Sequence, residues 1–192
     1  MNDSLLSDRA LVARYLKGEE NAFPILFKRH KDRVYSFIYM MVRDKYIAED
    51  LFQDTWIKIV DKLHARKYHD VDKFLPWVTQ VARNLCIDYF RKVKRTPTIT
   101  TKDGTDIFAI MQFDAPNAEQ KMVKNESDAR VRQLIDQLPE DQREVLLMRH
   151  FAKLSFKEIA SLTNANVNTS VGRMRYALIN MRKMIADYQI AM

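Results

Sequence analysis

Apolar residues recur at three- and four-residue spacing through most of this chain, and no run alternates apolar with polar residues in the β-branched pattern of a strand. The spacing predicts a short first helix over 4–17, with Leu5, Leu6, Leu11 and Leu16 as its apolar content and Gly18 near its end. A long core helix over 21–42 follows, in which His30 is expected to be partly exposed. Over 44–63 the buried stripe is Ala48, Leu51, Phe52, Thr55, Trp56, Ile59, Val60 and Leu63. A polar loop, 64–73, carries Tyr68 near its centre. In the helix over 74–95, Pro76 suits the first turn, and Trp77, Val78, Val81, Ala82, Leu85, Cys86 and Tyr89 form the core face.

Periodicity then lapses. Residues 96–128 hold Pro, Gly, Thr and Asp without a helical repeat, and they read as a flexible linker between two helical domains. The run Ile107–Met111 is too apolar for a bare spacer and is expected to lie against other structure. Helix resumes near Glu119 and runs through Ile135, and Pro139 is placed in the first turn of the next one.

The most informative stretch is Leu154–Ala177. Ser155 and Glu158 form a Ser-x-x-Glu capping box, in which Ser155 accepts from the third helical N–H and Glu158 reaches back. Phe156, Ile159 and Ala160 follow on one face. Asn164 sits where a turn wants a left-handed residue, and Asn166 is a candidate N-cap. In the second helix Val167, Ser170, Met174, Ala177, Leu178, Met181 and Ile185 predict a buried side. Asn168, Thr169, Gly172, Arg173, Arg175 and Tyr176 fall on the other side. From Asn166 to Lys183 the charged residues are Arg173, Arg175, Arg182 and Lys183, with no acid among them. A solvated basic face would look similar by charge alone. The capped first helix, tight turn and acid-free second helix together point to a helix-turn-helix, with Arg and Asn able to bridge acceptors on bases and Thr and Tyr able to hold phosphates.

Composition narrows the rest. The chain has 192 residues and a formal charge of +7, which favours an anionic partner. Three Gly and five Pro leave few breakers. The single Cys86 excludes an intrachain disulfide, fits a reducing cytoplasm and lies in an apolar helical run, as a buried core thiol would. His30, His64, His69 and His150 lack ligand spacing, so neither metal nor cofactor is expected. No stretch approaches the roughly 20 apolar residues of a membrane span, and the N-terminus does not resemble a signal peptide.

Two faces in the first half stand out. On the 44–63 helix, Asp50, Gln53, Asp54, Ile57 and Asp61 oppose the core stripe. An acidic face in a basic protein would repel DNA, and Ile57 in its middle suggests protein docking. On the 74–95 helix, Gln80, Arg83, Asn84, Ile87 and Arg91 lie outside. Together with the basic loop around Tyr68 they suit single-stranded nucleic acid, although a basic helix end is also favoured simply by the helix dipole.

Taken together, the segments AEDLFQDTWIKI (48–59), FLPWVTQVARNLCIDYFRKVKR (74–95) and 138–183 resemble bacterial RNA polymerase sigma factors of the extracytoplasmic-function group, over almost the whole chain. The resemblance implies an all-α protein of two small domains joined by a linker: 1–95 as sigma region 2, 96–128 as linker, and 129–192 as sigma region 4 with its helix-turn-helix. It implies that Asp50, Gln53, Asp54 and Ile57 dock on the β′ clamp helices of core RNA polymerase, with the β subunit also contacted. Tyr68, Gln80, Arg83, Asn84 and Arg91 would serve −10 recognition and melting, with Asn84 reading a flipped base that the loop around Tyr68 captures. Asn168, Thr169, Gly172, Arg173, Arg175 and Tyr176 would read the −35 element. The linker would thread toward the polymerase active-site cleft and RNA exit path.

The partners so implied are core RNA polymerase and promoter DNA in the cytoplasm, with an anti-sigma factor as a further candidate. Relatives often carry Lys or Arg where this chain has Val171, Arg where it has Tyr176, Gly where it has Asn164 and Val where it has Ser170. The base-facing chemistry therefore differs, and no −35 sequence carries over.

Two competing functions remain. A stand-alone helix-turn-helix regulator of duplex DNA would have no use for the acidic docking face or the aromatic basic loop. An enzyme would need a phosphate loop, paired metal ligands or a nucleophile elbow, and none is found in the sequence.

Overall fold

The computed structural model describes residues 6–65, 73–95 and 130–190. Tyr68, the 96–128 linker with its Ile107–Met111 run, and the helical start near Glu119 lie outside the described residues. Among the described residues the fold is all-helical, in two domains.

The N-terminal domain contains α1 (Asp8–Leu16), α2 (Ala22–Val42), α3 (Lys45–His64) and α4 (Phe74–Arg95). Helix α1 starts later than the 4–17 expectation because extended Ser7 caps it, accepting from Ala10 N–H at 3.2 Å. It ends at Gly18, whose φ of +96° allows a Schellman closure: Glu19 N–H donates to Arg14 O and Gly18 N–H to Tyr15 O. Asp44 caps α3, accepting from Tyr46 and Ile47 N–H at 2.8 and 3.0 Å.

Helix α2 packs against α1, α3 and α4, and its Leu26, Val34, Phe37 and Ile38 are essentially fully buried. Each such side chain contributes about 1.5–3 kcal/mol relative to exposure. Trp56 of α3 is ringed edge-on by Phe23, Phe27 and Phe52, at 6.0, 4.9 and 6.1 Å between centroids. This seam fixes the rotation of α3, and so decides which of its residues face outward.

His30 departs from expectation. It is 4% exposed, with Nε2 2.7 Å from Asp8 Oδ2 and its ring 5.7 Å from that of Phe74. The helical pattern alone did not reveal that α1 would cover it.

The C-terminal domain comprises helical residues 130–136 (α5), α6 (Glu140–His150), α7 (Phe156–Leu162) and α8 (Val167–Ile190). Pro139 occupies the N-cap position, one residue before the expected place, and its carbonyl accepts from Gln142 and Arg143 N–H. Val145, Leu146, Leu147 and Met148 are buried in succession. A helix surrounded on several sides reads that way, and α6 packs on α2 as well as on α7 and α8. Buried side chains of the two domains consequently form one contiguous cluster, which includes Ile135 and Leu138.

Candidate functional site

Helix α3 presents an open face. Asp50, Gln53 and Asp54 are exposed and Ile57 is 59% exposed, while Thr55, Trp56 and Ile59 on the opposite side are buried. The sequence reading missed Tyr46, four residues before Asp50 and the most exposed large apolar side chain on this helix at 76%. Its i−4 spacing from Asp50 was the available signal.

On α4, Gln80, Asn84 and Arg91 are exposed along one stripe, and Arg91 Nη1 lies 3.4 Å from Asp88 Oδ1. Arg83 is rotated about 60° from Gln80 at 100° per residue. That turns it toward the other domain, where its Nε–H donates to Glu144 Oε1 of α6. The structure thus separates Arg83 from the three residues with which the sequence grouped it. Cys86 sits behind this stripe, fully buried, and burial pushes its thiol up to about 12, so it is no thiolate nucleophile at neutral pH.

The helix-turn-helix forms as the sequence predicts. Ser155 Oγ accepts from Glu158 N–H, and Glu158 Oε2 accepts from Ser155 N–H at 2.6 Å. Asn164 adopts φ +51°, and Ala165 N–H donates to Ala160 O. Asn166 Oδ1 accepts from Asn168 N–H at 2.9 Å.

Asn168, Thr169, Arg175 and Tyr176 are exposed, and Gly172 is partly so. A Cβ at Gly172 would meet no neighbour within 4 Å, so internal packing does not require glycine there. Arg173 leans back to Asp141 in the first turn of α6, Nε to Oδ2 at 3.0 Å.

The predicted buried side of α8 is only partly right. Ser170 and Ala177 are buried and Met174 and Met181 partly so, but Val167, Leu178 and Ile185 are 41, 40 and 40% exposed. Helix α8 runs on past the small α7, so α6 and α7 cover a narrower stripe than its apolar content suggests.

The Sigma-70 region 2 profile matches residues 26–96, and the Sigma-70 region 4 profile matches 128–177. The chain is 32% identical over 157 residues to the ECF RNA polymerase sigma factor SigM of Bacillus subtilis (strain 168), spanning 80% of this chain and 90% of that protein. The chain belongs to the extracytoplasmic-function group of sigma-70 family sigma factors.

The RNA polymerase sigma-H factor of Pseudomonas aeruginosa is 29% identical to this sigma factor over 173 residues, covering 87% of this chain and 88% of that one. The fold of the sigma factor is similar to that of CnrH, solved with the cytosolic domain of CnrY (TM-score 0.69, 20% identity, 94% of this chain and 97% of that one). It is also similar to RpoE of Bartonella quintana, solved with the anti-sigma factor NepR (TM-score 0.65, 19% identity, 85% and 96%).

Proposed function

We infer that this sigma factor binds core RNA polymerase and directs it to promoters to initiate transcription. The match of regions 2 and 4, in that order along one chain, carries the reading. The finer assignments are our proposals. Asp50, Gln53, Asp54 and Ile57 dock on the β′ clamp helices, and the exposure of all four supports this. Gln80, Asn84 and Arg91 follow the unpaired −10 strand, joined by Arg83 and Tyr68. Asn168, Thr169, Gly172, Arg173, Arg175 and Tyr176 engage the −35 duplex.

The sigma factor contributes binding energy and strand capture, and the polymerase performs the chemistry. We place it in the cytoplasm with the polymerase; among the described residues no helix is long and apolar enough to cross a membrane. An anti-sigma factor is a further proposed partner, since the similar RpoE was solved with one. A stand-alone duplex regulator is not favoured, because it leaves the exposed acidic stripe of α3 without a partner.

Run-off transcription from a genomic fragment library, with core polymerase and with or without the protein, tests the reading. Discrete start sites that require the protein are expected, and their alignment would yield both promoter elements. Absence of such starts, together with DNA binding that needs no polymerase, would overturn it.

A further inference from the structure

Two exposed faces of this chain carry the same pattern with opposite charge. On α3, Asp54, Ile57 and Asp61 are exposed, with Ile57 three residues after one carboxylate and four before the other. On α8, Arg175, Leu178 and Arg182 are exposed at the same spacing. At 100° per residue each trio lies within about 60° of its helix surface, and its two charges stand about 10 Å apart along the axis. Asp50 extends the first stripe by a turn, as Val171 extends the second. Leu178 and Ile179, 40 and 43% exposed, line an open groove of about 470 Å³ together with half-buried Phe156 and Met174, and Arg175 and Arg182 stand beside them. Among the described residues none of the four charged groups, Asp54, Asp61, Arg175 and Arg182, forms an ion pair.

We propose that the chain associates with a second copy of itself, head to tail, with the acidic stripe of α3 in one molecule seated on the α8 groove of the next. Both faces are open in the same molecule, so the contact is made between molecules and not within one. Laid parallel, the two helices bring Asp54 to Arg175, Ile57 to Leu178 and Asp61 to Arg182. Laid antiparallel, they bring Asp54 to Arg182, Ile57 to Ile179 and Asp61 to Arg175. Either way the apolar side chain enters the groove between two charge pairs, which fix the register. One helix on one groove buries less than the roughly 1,200 Å² of a stable complex, so the association is weak and reversible. Its charge pairs are exposed at the rim, so salt loosens it. The contact itself needs no assumption about activity. Its consequence rests on the sigma reading: self-association covers the polymerase-docking face of one molecule and part of the −35 face of its neighbour, so core polymerase and promoter both compete with it.

Analytical ultracentrifugation of the full chain, alone and at low salt, tests the proposal. The weight-average mass should rise from that of the monomer at about 1 µM toward twice that value at about 300 µM, the range in which so small a contact forms. Raising salt should return it to the monomer. Two charge-swapped variants locate the contact: Asp54→Arg/Asp61→Arg makes both faces basic, and Arg175→Asp/Arg182→Asp makes both acidic. Each alone should stay monomeric at every concentration, whereas an equimolar mixture should associate again, because each face then meets its opposite. Each swap moves the formal charge of +7 by four, so both chains remain positive overall and net attraction does not explain the rescue. Misfolding does not mimic it either, since a damaged chain would not regain association on mixing. A wild type that stays monomeric throughout would overturn the proposal and leave the groove to a different chain. Association that survives either swap, or a mixture that stays monomeric, would overturn the pairing of α3 with α8. Run-off transcription with core polymerase tests the sigma reading separately, since no polymerase enters these measurements.

Discussion

Asp8 Oδ2 and His30 Nε2, at 2.7 Å, tie the first turn of α1 to the buried centre of α2. Arg29 Nη1 donates to the other carboxylate oxygen at 2.5 Å. Burial works to raise the Asp8 pKa, but the hydrogen bond and charge of His30, then those of Arg29, outweigh it and hold the carboxyl below its ordinary 3.8. A depressed folded pKa gives stability that is present above the unfolded value and lost as pH falls through the folded one. Asp8→Asn should therefore cost about 1–3 kcal/mol at pH 7, the scale for breaking a charged, partly buried hydrogen bond. In melts followed by circular dichroism across pH, the gap between wild type and variant should close below about pH 4. A gap that persists undiminished in acid would mean that the carboxylate charge is not its source.

Ile57 is more than half exposed in the middle of an acidic stripe. Ile57→Glu should leave the melting temperature nearly unchanged, since surface substitutions usually stay within about 0.5 kcal/mol. It should abolish binding to core polymerase and, with it, core-dependent transcription. Tyr46→Ala, one turn earlier on the same face, should weaken binding by a smaller factor. Native-gel binding to core polymerase checks both, and unaltered affinity of the Ile57 variant would remove α3 from the docking surface.

How much of this could be read from the chain depends on what each feature rests on. The caps at Ser155 and Asn166 and the turn at Asn164 are local: donor, acceptor and backbone preference lie within four residues, so spacing reveals them. The buried stripe of α3 was legible because α2 and α4 cover one side of it and leave the other exposed. His30 was not, because its partner is Asp8 on another helix, and only packing brings the two together. Leu178 and Ile185 failed for the converse reason. Periodicity marks apolar positions on α8, but only the length of the covering helices decides which are buried. Arg83 shows the same limit within the candidate site. Its residue type and helical face suited nucleic acid, and the carboxylate it binds lies 61 residues away in the other domain.

The two central arginines of α8 should behave differently. Arg175 is exposed, while Arg173 is 30% exposed and oriented by Asp141. Arg175→Ala should weaken promoter binding by the holoenzyme by about 1–3 kcal/mol if it reads a base, or reduce the salt slope by about one if it holds a phosphate. Arg173→Ala should lose a similar amount. Asp141→Asn should shift Arg173 alone, lowering affinity by a smaller factor and leaving the Arg175 effect additive. Promoter affinity measured across a salt series separates these outcomes. If neither arginine variant changes promoter use, this face of α8 is not the reader.

Asn164 sets the angle at which α8 leaves α7. It holds φ at +51°, a region where a Cβ crowds the following carbonyl and where Gly or Asn is tolerated best. Asn164→Gly should be neutral or slightly stabilising, because the turn geometry is kept. Asn164→Val places a β-branched side chain in the same conformation and should cost about 1–2 kcal/mol. Its cost should fall first on the turn, since the α6 core beneath it, Val145 to Met148, stays intact. The expected result is a modest drop in melting temperature and a larger loss of −35-dependent transcription, as Asn168 and Arg175 move off their line of approach. On promoters that do not depend on the −35 element, the Val variant should retain activity. An equal loss on both promoter types would show that the substitution unfolds the domain rather than re-aiming its helix.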